Sequence, residues 1–430
     1  MGTFKGRAIA LVIAALILVL GATSAGATLA GQSQKPKINL RIGVVAPLTG
    51  NLSSIGPGQA TGARVATQVI AQALKQTGNS KNVKVTIAGV EDTQGDTTPA
   101  VQAATKLATT ANIDVMVGSC ATRETLAIAQ SVTVRRKIVQ ISMCSAAPEL
   151  SNLKDNGYVW QMIYPNTLLA AAFVRASQIA FGKSATVNTG SINDAGNGGF
   201  RTAFDKAWKA AGGTIGESVA WNLAQPTYDT EAQRIASGNP RGWVIVTTPE
   251  DWKKLGPALV RTGSWSPART IVIEVFRDPA TLQELGDPAT AGLRGVSPTN
   301  EGSPSKAAFD RLFKRYAPSS KPTGFDSLGF DPVVAAFLAS LQARSDNPAK
   351  IKQHLRSISG PPGIKIRPNQ LALAVRTILA GKEVDYEGGW GNLDWDSKGD
   401  PGSSLFEFWR YSGGGAPIPP GQIINAKAPK

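Results

Sequence analysis

Apolar positions along the chain fall into short runs of strand length that alternate with longer stretches of helical spacing. Residues 40–45 (Leu40, Ile42, Val44 and Val45 among them) predict a buried strand, followed by a loop and a helix over 59–74. The next pairs are a strand at 83–90 with a helix at 98–109, and a strand at 115–117 with a helix at 124–134; a fourth strand follows at 138–141. Strands spaced by helices of this length imply right-handed crossovers and a parallel sheet covered on both faces.

A second series repeats the pattern. Strands are predicted at 185–187, 215–221, 243–247, 270–275 and 293–297, with helices at 199–211, 230–237, 251–262 and 279–285. Gly212-Gly213 and Gly263 supply the C-terminal stops. The remaining stretch carries helices at 305–316, 332–344, 348–357 and 369–380, one strand at 405–411 and a Gly/Pro-rich tail. These pieces are too few for a third parallel domain. They are expected to complete the first two, so that the chain crosses between α/β lobes more than once.

The N-terminus adds a compartment. Lys5 and Arg7 precede the 13-residue apolar run 8–20, and Ala25-Gly26-Ala27 follows: the basic, apolar and small-residue pattern of a secretory signal within 1–30. The run is short of the roughly 20 residues a membrane helix needs, so a retained anchor is the lesser alternative. No cysteine near the cleavage region offers a lipid-attachment site. An exported protein, periplasmic or at the cell surface, is expected.

Charge changes little. A formal net charge of +15 comes from scattered cations; the longest run, Arg135-Arg136-Lys137, reads as a solvated connection. No interleaving of aromatic and basic residues suggests a nucleic-acid platform. A single histidine, His354, argues against most metal sites and histidine-based catalysis, so no metal, cofactor or enzyme activity is expected. The only cysteines, Cys120 and Cys144, follow strands that should be neighbours; they are either a disulfide or two buried free thiols.

In open α/β sheets ligands bind beyond the carboxyl ends of strands. The loops there are small, hydroxylated and glycine-containing: 48–56, Ser119-Cys120-Ala121-Thr122-Arg123, and 142–147. Such loops let backbone N–H groups approach an anion, although hydroxyl residues also merely cap helices. The second series offers Asn193-Asp194 and the loops containing Thr248 and Glu274. Glu274 or Asp194 is expected to meet a ligand ammonium, whereas Glu250 and Asp251 read as first-turn acids.

Taken in order, Arg41-Ile42-Gly43-Val44-Val45-Ala46-Pro47-Leu48-Thr49-Gly50, Gly62-Ala63-Arg64, Ile141-Ser142, Pro148-Glu149-Leu150, Asn193-Asp194 with Gly198, and the segment from Leu393 to Asp400 resemble the type I periplasmic solute-binding proteins, specifically the leucine/isoleucine/valine-binding branch that serves ABC transporters. The resemblance runs from about Ile38 to about Tyr411. It implies two doubly wound parallel-sheet lobes joined by a multi-crossing hinge, divided as 38–162 and 323–398 for the first lobe and 163–322 and 399–416 for the second, with 417–430 as tail. It implies capture of a small polar molecule (an amino acid, amide or organic acid) by lobe closure, a membrane permease as partner, and a monomer. Carried over, the ligand contacts are Ala121, Thr122, Ser145, Ala146 and Glu274, with Ile55 near the cleft mouth. Ser54, Arg123, Asn193, Asp194 and Thr248 complete the candidate set. Ala121 and Ala146 stand where amino-acid binders carry hydroxyls, Ile55 where an aromatic is frequent, and Arg123 adds a cation beside the expected carboxylate site.

Three rival readings stand beside this one; the weakest, a polysaccharide-binding or structural surface protein, would account for the basic charge but not for the converging loops. Gly56-Pro57-Gly58-Gln59-Ala60-Thr61-Gly62 with Glu91-Asp92 has the look of a dinucleotide loop, yet it does not directly follow its strand. An exported ligand-sensing receptor or regulatory subunit would use the same fold.

Overall fold

A computed structural model of the chain describes residues 36–427, except 51, 195, 224, 301 and 302. The expected signal sequence lies outside the described residues. From Lys37 onward two main sheets are built. The first contains β1 (Ile38–Ala46), β2 (Val83–Asp92), β3 (Val115–Val117), β4 (Val139–Ser142) and β5 (Val159–Gln161), all parallel in the order β2-β1-β3-β4-β5. Strand β5 goes beyond the sequence reading: three residues are too few to display a period.

The second sheet is larger. It takes β6 (Thr186–Ile192), β7 (Thr214–Trp221), β8 (Gly242–Val246), β9 (Thr270–Val272) and β10 (Arg294–Pro298) in parallel. A small parallel pair, β11 (Ile364–Ile366) and β12 (Val384–Tyr386), stands apart. Then β13 (Ser403–Arg410) and β14 (Gln422–Lys427) extend the second sheet antiparallel, giving the order β14-β13-β10-β9-β8-β6-β7. The expected tail 417–430 thus contributes an edge strand. Ile424 and Ala426 alternate inward while Ile423 and Asn425 face out, a pattern obscured by the prolines that precede it.

Each sheet reverses direction at the same place in its order: β1 lies between β2 and β3, and β6 lies between β7 and β8. Neighbouring strands at these two switch points send their connections to opposite faces and leave a crevice at their carboxyl ends.

The chain crosses between the sheets three times. It leaves β5 for the helix Asn166–Phe181, whose Leu168 and Phe173 lie in the second core. It returns after β10 to the helix Pro304–Tyr316, whose Phe309 and Phe313 lie in the first core. It leaves again at residues 400–403 to enter β13. The return therefore falls near residue 300, not at the expected 322/323 boundary. The reason is packing: Phe309 sits 5.3 Å from Phe330, centroid to centroid, and the Tyr316 hydroxyl donates to Gln72.

The helix Ser327–Gln342 starts before Pro332, the residue at which the sequence places its start. It is buried from Ser327 to Leu341, as a helix apolar on nearly every face must be. It crosses the helix Gly56–Gln76 closely enough that a Cβ on Gly62 or Gly329 would overlap the carbonyl oxygens of Asp326 and Gln59. The glycine-rich run of the dinucleotide rival thus has a packing role. Gly329→Ala is expected to lower stability by about 2–3 kcal/mol through overpacking, read as a drop in the midpoint of urea unfolding. Gly199→Ala, whose added Cβ would meet only ordinary contacts at 3.5 Å or beyond, should stay within about 1 kcal/mol.

Candidate functional site

The β1 loop is organised by one carboxylate. Asp92, the last residue of β2, accepts from the N–H groups of Leu48 (2.9 Å), Thr49 (3.2 Å) and Gln94 (2.8 Å) and from the Thr49 hydroxyl (2.6 Å). Burial acts to raise its pKa, but the bonds from Thr49, Gln94 and Leu48 hold the carboxyl below its ordinary value. Asp92 is thereby occupied in shaping the loop and Glu91 beside it pairs with Lys106 at 2.8 Å, so neither member of the Glu91-Asp92 pair is left free for the dinucleotide reading. Further along, Ser54 is exposed and Ile55 half-buried at the entrance to the helix Gly56–Gln76.

The β3 and β4 loops are joined covalently. Cys120 and Cys144 form a disulfide with Cα atoms 4.4 Å apart, because β3 and β4 pair directly and both loops leave at the same level. The buried Gln59 amide donates to the Cys144 sulfur at 2.9 Å from beneath. Ser145 is fully buried, and its hydroxyl lies 2.7 Å from Thr125 Oγ1 and 3.1 Å from the Cys120 carbonyl oxygen. That hydroxyl braces the two loops from inside. Glu124 is likewise fully buried; it accepts from the Ser119 hydroxyl, and burial pushes its pKa up. Arg123 is exposed, with Nη2 donating to the Gly95 carbonyl at 2.6 Å.

Half-buried Ala121 and Ala146 leave their backbone edges as the polar groups of this wall. From here a chain of bonds runs toward the second sheet. Thr122 Oγ1 accepts from Ala146 N–H at 3.4 Å, the Ala146 carbonyl accepts from Asn166 N–H at 2.7 Å, and the Asn166 amide donates to the Gly196 carbonyl at 2.8 Å. Asn166 was missed in the sequence; the Pro165 before it is the only local signal of a special position.

On the second lobe, Asp194 is consumed locally, accepting from Asn197 N–H (2.6 Å) and from the Asn197 side-chain amide (2.9 Å). Asp194 shapes the turn that starts the helix Asn197–Ala210, while Asn193 is exposed. Thr248 caps the helix Pro249–Arg261 by accepting from Asp251 N–H at 3.2 Å, the helix-capping role that loop hydroxyls often take. Asp251 does more than complement a dipole, since its carboxylate also accepts from the Trp221 indole at 3.3 Å.

Glu274 differs from these. It opens a 3-10 turn, Glu274–Phe276, which ends β9 three residues short of the predicted strand. Its Oε2 is shut off from solvent with no partner among the described residues, and burial pushes its pKa up. Tyr164 in the first crossing lies within electrostatic reach: burial and the Glu274 charge together push its phenol well above the ordinary value.

The crossings themselves are clasped. The Trp395 indole donates to the Gln161 carbonyl at 2.6 Å, Gln161 N–H donates to the Gly399 carbonyl at 2.9 Å, and the Gln161 amide donates to Asp400. Tyr164 and Phe406 meet edge to face at 4.6 Å. Beside this clasp lies a cavity of about 540 Å³, walled by all three crossings and by the loop after β12. It includes Tyr164 and none of the residues expected to bind ligand. No group of three acidic, histidine or cysteine residues placed to hold a metal occurs among the described residues, and no helix there is long and apolar enough to cross a membrane.

The periplasmic binding protein family matches residues 39–370, and the chain belongs to that family. Similar solved structures include the leucine-binding protein LivK of Thermotoga maritima (17% identity, 90% of this chain and 98% of that chain covered, TM-score 0.69). The branched-chain amino acid transporter substrate-binding protein LivJ of Streptococcus pneumoniae, in complex with isoleucine, aligns at 16% identity over 90% and 99% with a TM-score of 0.67. A solute-binding protein of an ABC transporter from R. palustris, in complex with benzoate, aligns at 16% identity over 91% and 97% with a TM-score of 0.65. No curated protein matches the chain. The fold is thus the two-lobed type I arrangement found in the leucine- and isoleucine-binding members.

Replacing both cysteines by serine is expected to cost about 3 kcal/mol, the typical contribution of a bridge closing a loop of this length. The accompanying change should be faster hydrogen exchange at 119–125 and 142–148, with the second lobe unaltered. Unchanged exchange in those loops would show that the disulfide does not hold them.

Proposed function

We propose that this chain is the extracytoplasmic solute-binding component of an ABC transporter, capturing a small polar molecule between its lobes and presenting the closed form to a membrane permease. It is exported and acts as a monomer, with lobe divisions near 162, 300 and 400. The observation that carries this reading is the Thr122–Ala146–Asn166–Gly196 chain of hydrogen bonds, which joins the loops after β3 and β4, beside the first switch point, to the loop after β6, at the second. In this reading the loops after β1, β3 and β4 form one wall and the loops after β6, β8 and β9 the other. Closure by hinge motion suits three clasped crossings, and only contacts better made in the closed state can drive it.

The walls differ in chemistry. On the first, the Thr122 hydroxyl and the backbone at Ala121 suit a carboxylate or carbonyl oxygen, while the Ala146 N–H and carbonyl are taken by Thr122 and Asn166. On the second, Glu274 holds a buried, unpartnered oxygen suited to an ammonium or an amide N–H. An amino acid uses both; an amide or organic acid uses the first fully and the second in part. The benzoate and isoleucine complexes of similarly folded proteins support keeping both ligand classes in the test panel.

Mass spectrometry of small molecules released from freshly purified, denatured protein should reveal a bound polar metabolite, and titration calorimetry should give saturable binding of it. Empty protein that takes up no amino acid, amide or organic acid would overturn the reading. For a ligand with an ammonium group, Glu274→Gln is expected to weaken binding about 10–100-fold, since a charge-assisted bond becomes a neutral one. A purely acidic ligand should lose little.

The pH dependence follows from the same residue. Burial raises the Glu274 pKa in the folded, unliganded protein, so the site holds a proton at pH values where an exposed glutamate would not. An incoming ammonium favours the ionised form. Its affinity should therefore fall as pH drops through the raised pKa, and binding in that window should release a proton. Calorimetry in two buffers of different ionisation enthalpy measures this directly; absence of proton release removes Glu274 from the site.

A further inference from the structure

We propose that the cavity at the three crossings is a second binding site, distinct from the inter-lobe crevice, for an uncharged polyhydroxylated molecule such as a sugar or sugar alcohol. At about 540 Å³ it falls within the range of small-molecule sites. Its position comes from topology. Met162 and Tyr164 enter from the first crossing, Asn300 and Ser303 from the second, Ser403 to Leu405 from the third, and Trp390 from the loop after β12.

Trp390 is held in place from two sides. Its backbone N–H donates to the Asp331 carboxylate at 2.8 Å, beside a 3.0 Å bond from Gly389 N–H and a 2.8 Å bond from the Tyr386 hydroxyl to the same carboxylate. Its ring stacks on Phe325 at 5.9 Å with planes 26° apart. The Asn300 amide reaches across to the Gly389 carbonyl and fixes the loop against the second crossing. A half-buried indole is thereby fixed at the cavity wall rather than left to move.

The lining chooses the ligand class. Three amides (Asn300, Asn392, Asn425) and several hydroxyls supply neutral donors and acceptors. Among the described lining residues the one charged group, Glu387, is paired with Lys365, so that these residues offer no free charge to an ion. An aromatic platform with neutral hydrogen-bonding groups around it fits a molecule with C–H faces and many hydroxyls. The same features fit poorly to a carboxylate or ammonium, the groups to which the crevice is suited.

The proposal goes beyond the solute-binding reading and does not depend on it. Saturation-transfer NMR and calorimetry on the mature chain should be run with D-glucose, D-galactose and xylitol, and with gluconate as the charged control. At least one uncharged compound is expected to bind saturably in the millimolar range, and gluconate at least 10-fold more weakly. Trp390→Ala should reduce that binding at least 10-fold. Asn425→Phe, a cavity-filling change at an exposed position of β14, should do the same and serves if the tryptophan variant fails to fold. Glu274→Gln should leave it unchanged. No saturable binding of any uncharged compound would overturn the proposal. So would binding indifferent to both cavity variants, or binding lost in Glu274→Gln, which would assign the molecule to the crevice.

Discussion

Parallel strands joined by crossover helices deliver every carboxyl end to one edge of a sheet, and this constraint governs the whole molecule. In each lobe the first strand sits between the second and third, so the crevice opens at a fixed place before any side chain is chosen. The three crossings then decide what that crevice faces. They join the sheets at β5, β10 and β13, and the Trp395–Gln161–Gly399 clasp holds the first and third crossings together. Remove the crossings and there would be two nucleotide-type sheets with nothing opposite either edge.

Given that frame, most polar residues at the strand ends turn out to shape loops rather than to await a ligand. Asp92, Ser145, Asp194 and Thr248 all spend their side-chain oxygens on nearby groups. This is the expected fate of buried polar atoms, which are costly to leave unpaired. Glu274 differs in having a buried Oε2 with no partner among the described residues, as do Ser142 Oγ at the end of β4 and Thr247 Oγ1 just after β8. The disulfide and the Gln59 amide beneath it stiffen the opposing wall. In the proposed capture reading, one wall is stiffened by the disulfide and the other carries an unpartnered carboxyl oxygen.

Much of this was legible in the sequence. The alternation of strand and helix gave the two doubly wound lobes, and the strand-end rule named the loops that follow β1, β3, β4 and β9. What escaped was what periodicity cannot carry. Strand β5 is three residues long, and β14 hides behind a proline-rich stretch. The return near residue 300 depends on Phe309 meeting Phe330, a contact between helices that no local pattern announces. Glycines 58 and 62 mimic a phosphate loop locally, and only the close approach of Thr323 and Asp326 to the first and of Asp326 and Phe330 to the second reveals why they lack side chains. For Asp194 and Ser145 the residue type was suggestive, but partners decide roles and partners are tertiary.

The central claim is that the lobes close on a small molecule held between opposing strand-end loops, and small-angle X-ray scattering of the mature protein tests it most directly. The radius of gyration should contract on saturation with whichever metabolite co-purifies, and should return to the open value when that metabolite is removed. A radius that stays the same with the bound compound present and absent would contradict the account.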